Sequence, residues 1–348
     1  MVTKFAPQSC DCGANQFFTN NKISIYNSLD YNVMQIQTDI DLSPNLQKYL
    51  PRLDESFMYY NEHGIKHPSP LYNVSLSKIE DSLQAFLEVL SKYNNQDFEK
   101  VDKEFNGQLL KMYKDFLYAC REHLDDCFNI IKIFIKPPQD IKKERVQFRW
   151  LQLNAREQTK DIFREIDEYK KYLDNSVNEL KHNNALMAGI AFFDSQNGSN
   201  NCLGYFIGNV INGAYAPVEK IHPKLQDKYT GFSFRRDLHY NLFNIFRLSE
   251  VILDFLREKI GININAIDIK TNAAPEKKKE MFRKVMEISR IHFPDEYLKS
   301  VPSVVLNEKK CLKLEYPSQL SIKPNRLDRV VITLPGDGHT REFKMLYM

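Results

Sequence analysis

Apolar residues recur every three or four positions through the middle of the chain and every second position beyond it. That change of period divides the sequence. Ser75-Leu-Ser-Lys-Ile-Glu-Asp-Ser-Leu-Gln-Ala-Phe-Leu-Glu-Val-Leu90 has a helical period, and a second helix is predicted from about Phe105 to Lys136, stopped by Pro137-Pro138. A third runs from about Gln152 to His182, in one piece or two. Ile162, Ile166, Tyr169, Leu173, Val177 and Leu180 form its apolar stripe. Long amphipathic helices with short connections predict an antiparallel bundle.

After Asn184 the period shortens. Ala188–Phe193 and Cys202–Val210 read as strands, and Ile262–Ile269 as another. Between them a helix is predicted over Phe234–Lys259, with Ser233 as its N-cap and Gly261 as its stop, and a basic helix follows over Pro275–Ile291. Ser303–Met348 alternates like a small β unit. The expected class is α+β in three parts: an irregular N-terminal segment over 1–74, a helical bundle over 75–184, and a mixed α/β domain over 185–348.

Composition removes several function classes. The 348 residues carry 48 Lys and Arg against 45 Asp and Glu, a net charge of +3, which by itself implies no dedicated nucleic-acid or membrane partner. No apolar run approaches the roughly 18 residues of a membrane span, and six cysteines in so long a chain do not form a disulfide framework. A cytoplasmic protein is expected. With only 12 glycines the chain lacks the dinucleotide and Walker patterns, so no cofactor is expected.

The polar side of the third long helix is unusual. Lys171, Asn175, Asn178 and His182 share one face at steps of four, three and four, with Lys181 beside them. Exposed helices favour Lys, Glu, Gln and Arg, whereas Asn is a mediocre helix former. Two asparagines and a histidine in register therefore indicate side chains with partners. Asn175, Asn178, Lys181 and His182 are the binding candidates.

Other chemistry is sparser. On the second long helix His123 falls between Cys120 and Cys127 on the packing face, a spacing that converges poorly on a tetrahedral ion. The ligand types Cys10, Cys12, His63 and His67 make a further metal-like grouping, set against a loop with incidental residues. Arg235 and His239 lie one turn apart at a helix start, where cations suit either an anion or a partner carboxylate. Asp268-Ile-Lys270, with Asp194, has the residue types of a metal-dependent nuclease element.

Over 75–184 the chain resembles the HEPN-type helical domains of bacterial conflict and antiviral systems. The likeness rests on Arg121-Glu-His-Leu-Asp-Asp126 and on a later helix ending Asn178-Glu-Leu-Lys-His182. The family's signature is an Arg followed four to six residues later by a His. Matching His182 to that histidine places Asn175, Ser176 and Val177 where the arginine belongs, and Arg235–His239 is one residue short. The resemblance implies a binding or scaffold protein of a defence or toxin–antitoxin system, holding a protein partner or RNA. Its alternative is a metal-independent endoribonuclease with His182 as acid or base and Arg121 or Arg235 on the phosphorane; His123 and His239 complete the catalytic candidates.

Overall fold

The computed structural model describes residues 34–94, 103–193, 201–211, 213–269, 272–289, 292–298, 300–316, 329–333, 342–344 and 346–347. Its class is α+β, with eight α-helices and two sheets among those residues. Three long helices form the bundle: α3 (Pro68–Asn94), α4 (Lys103–Ile133) and α6 (Arg156–His182). Short α1 (Asn45–Tyr49) and α2 (Tyr60–His63) precede them, and α5 (Gln147–Asn154) stands between α4 and α6. The third predicted helix is thus two pieces. The break is at Ala155, whose φ of −142° and ψ of 29° lie outside the helical region.

Pairings fix the helix directions. Phe86 of α3 packs on Tyr113 of α4 while Ser75 meets His123, so the two run antiparallel. Lys181 of α6 sits over the Tyr118 ring while Asp174 pairs with Arg121, the same sense again. The α6 stripe Ile162, Ile166, Tyr169, Leu173 and Val177 is buried, each side chain contributing on the order of 1.5–3 kcal/mol.

Helix α7 (Phe234–Phe255) is buried nearly all round and is the axis of the molecule. Ser233 caps it, accepting a hydrogen bond from the Arg236 N–H at 3.2 Å, as expected of that residue. A wider turn over Leu256–Ile260 extends it, and Gly261 ends it at φ 82°. One face meets α6 through Tyr169–Asn241, Tyr172–Asp237 and Glu165–Arg247. The N-terminal segment docks on α7 as well, with the Leu46 N–H donating to Ser249 Oγ.

The larger sheet contains β2 (Leu186–Phe193), β3 (Asn201–Ile211), β4 (Ala214–Pro217), β5 (Phe232–Ser233), β8 (Arg329–Thr333) and β9 (Glu342–Phe343), in the order β8-β2-β3-β4-β9 with β5 on β3. Met187, Tyr205 and Ile207 join the helical core, while Ala188, Ile190, Phe192 and Phe206 face a second cluster with Phe293 and Leu346. β5 crosses so close to β3 that a Cβ on Gly204 would lie 2.0 Å from the Phe232 carbonyl, so only glycine fits there. That crossing sets the start of α7 directly over β3. The smaller sheet joins β1 (Met34–Gln37) to β7 (Leu312–Tyr316) and β6 (Ser303–Leu306).

Two expectations change. The predicted strand over 262–269 is instead a short 3₁₀ turn, Ile264–Ala266, whose flanking residues bond to the preceding turn and not to a sheet. The alternating tail is shared between both sheets, because β7 pairs with β1 some 280 positions earlier in the chain (Gln35 opposite Glu315) while β8 pairs with β2. Helix α8 (Glu276–Glu287) forms as expected and reaches α3 through Lys278–Glu80.

Candidate functional site

Polar side chains fall into two populations, an interior cluster at the start of α7 and an open face at the end of α6. The interior cluster is centred on Asp237, which is fully buried. Tyr113 of α4 and Tyr205 of β3 each donate to its carboxylate at 2.6 Å, and Tyr172 of α6 donates at 2.7 Å. Asn241, one turn on, donates to the Asp237 carbonyl and accepts from Tyr169. Three separate elements, α4, α6 and β3, thus place their hydroxyls on one carboxylate of a fourth, α7. Burial pushes the Asp237 carboxyl above the usual range, although the three phenols and Arg236 act the other way. Burial, and the charge of Asp237, push the Tyr113, Tyr172 and Tyr205 hydroxyls well up, so they remain donors.

A second buried carboxylate, Glu296, holds the α7 N-terminus. It accepts from the Ser233 N–H at 2.8 Å, from Ser233 Oγ at 2.6 Å and from the Phe293 N–H at 2.9 Å. Burial alone would raise its pKa; His292 at 3.6 Å, Arg236 and Ser233 outweigh that and hold it below the usual range. A negative charge beside the first turn also suits the helix dipole.

The open face is different in kind. Asn178, Lys181 and His182 are exposed and Asn175 is half-buried. Upstream, α6 is laced with ion pairs: Glu157–Lys160, Asp161–Arg164, Asp167–Lys171 and Lys170–Asp174. From Asn175 onward the pattern stops. Among the described residues the side chains of Asn175, Asn178 and His182 make no hydrogen bond or ion pair, and Glu179, turned inward, is taken by Lys220. Beside this face Lys181 caps the Tyr118 ring at 4.5 Å. Lys114 and Lys111 follow Tyr118 at steps of four and three along the same face of α4.

The remaining candidates are dispersed. Arg121 is held between Asp125 and Asp174, and Asp174 lies eight residues before His182, about 12 Å along the helix. His123 faces α3, within 2.8 Å of Ser75 Oγ and 3.6 Å of Cys127 Sγ; burial lowers its pKa to about 4. Cys120 and Cys127 are buried free thiols whose pKa burial raises, and they are packing residues. Arg235 donates to the Ile288 carbonyl at 2.9 Å. His239 is buried, pushed down to about 3 by burial and by the charges of Arg235 and His292. Both stand about 200° round α7 from Asp237, the side away from α6. Neither Arg121 nor Arg235 therefore meets His182.

Of the metal-like grouping, His63 bonds the Ile135 carbonyl at 2.8 Å and stands edge-on to Trp150, while His67 Nδ1 accepts from the Ser69 N–H. Cys10 and Cys12 lie outside the described residues, as do Lys270 and Asp194; Asp268 is exposed. No group of three or more metal-ligating side chains occurs among the described residues. No described helix is long and apolar enough to cross a membrane.

The Asp237 cluster leaves no local pattern in the sequence. Its members are separated by 124, 65 and 32 positions, and each is unremarkable alone. The available signal was an aspartate inside the first turns of an otherwise apolar helix, which needs buried donors. Compared with family models, with curated proteins and with solved structures, the chain matches none.

Proposed function

We propose that the chain is a binding module, and that it holds single-stranded RNA on the end of α6 and the adjoining turns of α4. The observation that carries this is the change along α6 from paired to unpaired polar groups at Asn175. Unpaired Asn and His side chains add little to a helix, so their value is in contacts made elsewhere. Lys111, Lys114 and Lys181 supply cations on the side of the half-buried ring of Tyr118, with Asp115 tempering the charge. Lysines for phosphates, an aromatic ring for a base and amides for base edges are the components of single-strand recognition. The HEPN-like resemblance of this region favours the same ligand. A binding role also fits the separation of His182 from Arg121 and Arg235, because transition-state stabilisation needs both groups on one phosphate.

A labelled single-stranded RNA titrated by fluorescence anisotropy tests the proposal. Three lysines at about 0.7 each give a slope near −2 for log affinity against log salt. Lys181→Glu should weaken binding and flatten that slope, with the RNA left uncut. Absence of saturable binding at low salt, or an unchanged affinity in Lys181→Glu, contradicts it. Recovery of a protein partner whose binding the same substitution abolishes would assign the surface to protein instead.

A further inference from the structure

Arg236 is the third residue of α7, next to Asp237. Its guanidinium stacks over Phe232 at 5.2 Å and Tyr240 at 5.9 Å, and Tyr172 closes the group against both rings. The side chain is half-buried, and Nε is sealed from water with no hydrogen-bond partner. Among the described residues no carboxylate comes within ion-pair distance of it. The nearby acids are engaged: Asp237 by three phenols, Glu296 by Ser233 and Phe293, Asp295 by Tyr347. Burial works against the cation, yet the charges of Glu296, Asp237 and Asp295 outweigh it and keep Arg236 protonated.

These acids explain why the charge is tolerated, but not why the Nε–H is sealed from water without an acceptor. A desolvated donor without an acceptor is costly, and native interiors rarely keep one. Arginine packed against two aromatic rings is also pre-organised, having given up rotamer freedom before any ligand arrives. We infer that Arg236 is a binding site for an oxyanion, a phosphate or a carboxylate, received edge-on in the fork geometry. The rings of Phe232 and Tyr240, both buried, orient the guanidinium. This site is independent of the α6 surface and stands whether or not that surface binds RNA.

The test uses the intact chain and its Arg236 Nε–H resonance, followed by NMR while inorganic phosphate or acetate is added at constant ionic strength. A saturable shift with phosphate alone assigns a phosphate ligand, with acetate alone a carboxylate, and with both a general oxyanion site; each supports the inference. Arg236→Lys keeps the charge and loses the fork, and should weaken binding by about ten- to a hundredfold, the size of one or two charge-assisted hydrogen bonds. No saturable shift in the wild-type chain with either anion overturns the inference, whatever the variant does.

Discussion

The start of α7 and the end of α6 both gather polar residues, with opposite outcomes. At Asp237 the carboxylate is fully buried and paired: three phenols converge on it, and Asn241 and Tyr169 extend the network. At Asn178 and His182 the groups stand in water with nothing assigned to them. Burial forces the first arrangement, because an unpaired carboxylate or hydroxyl inside the core would cost several kcal/mol. No such force acts on the second. The first therefore holds the bundle to the sheet, and the second is left available for a ligand.

The comparison is broken most severely at its buried end. Asp237→Ala leaves three phenol hydroxyls without their acceptor and should cost about 3–5 kcal/mol in urea unfolding. A loss under about 1 kcal/mol would mean the cluster is not what joins α4, α6, β3 and α7. Tyr172→Phe removes a single donor, and a loss of about 1 kcal/mol is expected from the same measurement.

The buried histidines give a pH signature. His123 in the fold titrates near 4 and His239 near 3, both below the ordinary 6.5. The unfolded chain therefore takes up protons first, and stability present above pH 6.5 is lost as the pH falls towards 4. His123→Leu removes one of these proton sites, while Ser75 Oγ keeps its bond to the Tyr72 carbonyl. Its urea midpoint should vary less between pH 6.5 and 4 than that of the wild type. An equal or steeper dependence would show that His123 is not held neutral by burial.

How much of this was legible follows from range. The helices of the bundle, the cap at Ser233, the stop at Gly261 and the strands at 188–193 and 202–210 were readable because period and capping are local properties. The supposed strand over 262–269 was not: its alternation was real, but a strand needs a partner edge, and among the described residues these positions join neither sheet. Likewise β1 pairs with β7 across most of the chain, which no local pattern specifies. The polar face of α6 was visible as an oddity of composition, and its position in the fold is now defined. Its cationic surroundings were hidden by a net charge of only +3, because Lys111 and Lys114 come from a different helix. Asp237 was hidden for the opposite reason: its helix was predicted correctly, but its three donors come from three other elements.

The smallest expected effect on stability is also the most direct test of the account. In the double variant Asn178→Ala/His182→Ala, melting temperature and single-stranded RNA affinity are measured on the same preparation. An open, uncommitted surface predicts a stability change within about 0.5 kcal/mol, as for surface substitutions generally, together with weakened binding. A melting temperature lowered by many degrees, with RNA affinity unchanged, would show instead that this face is an internal contact of the fold.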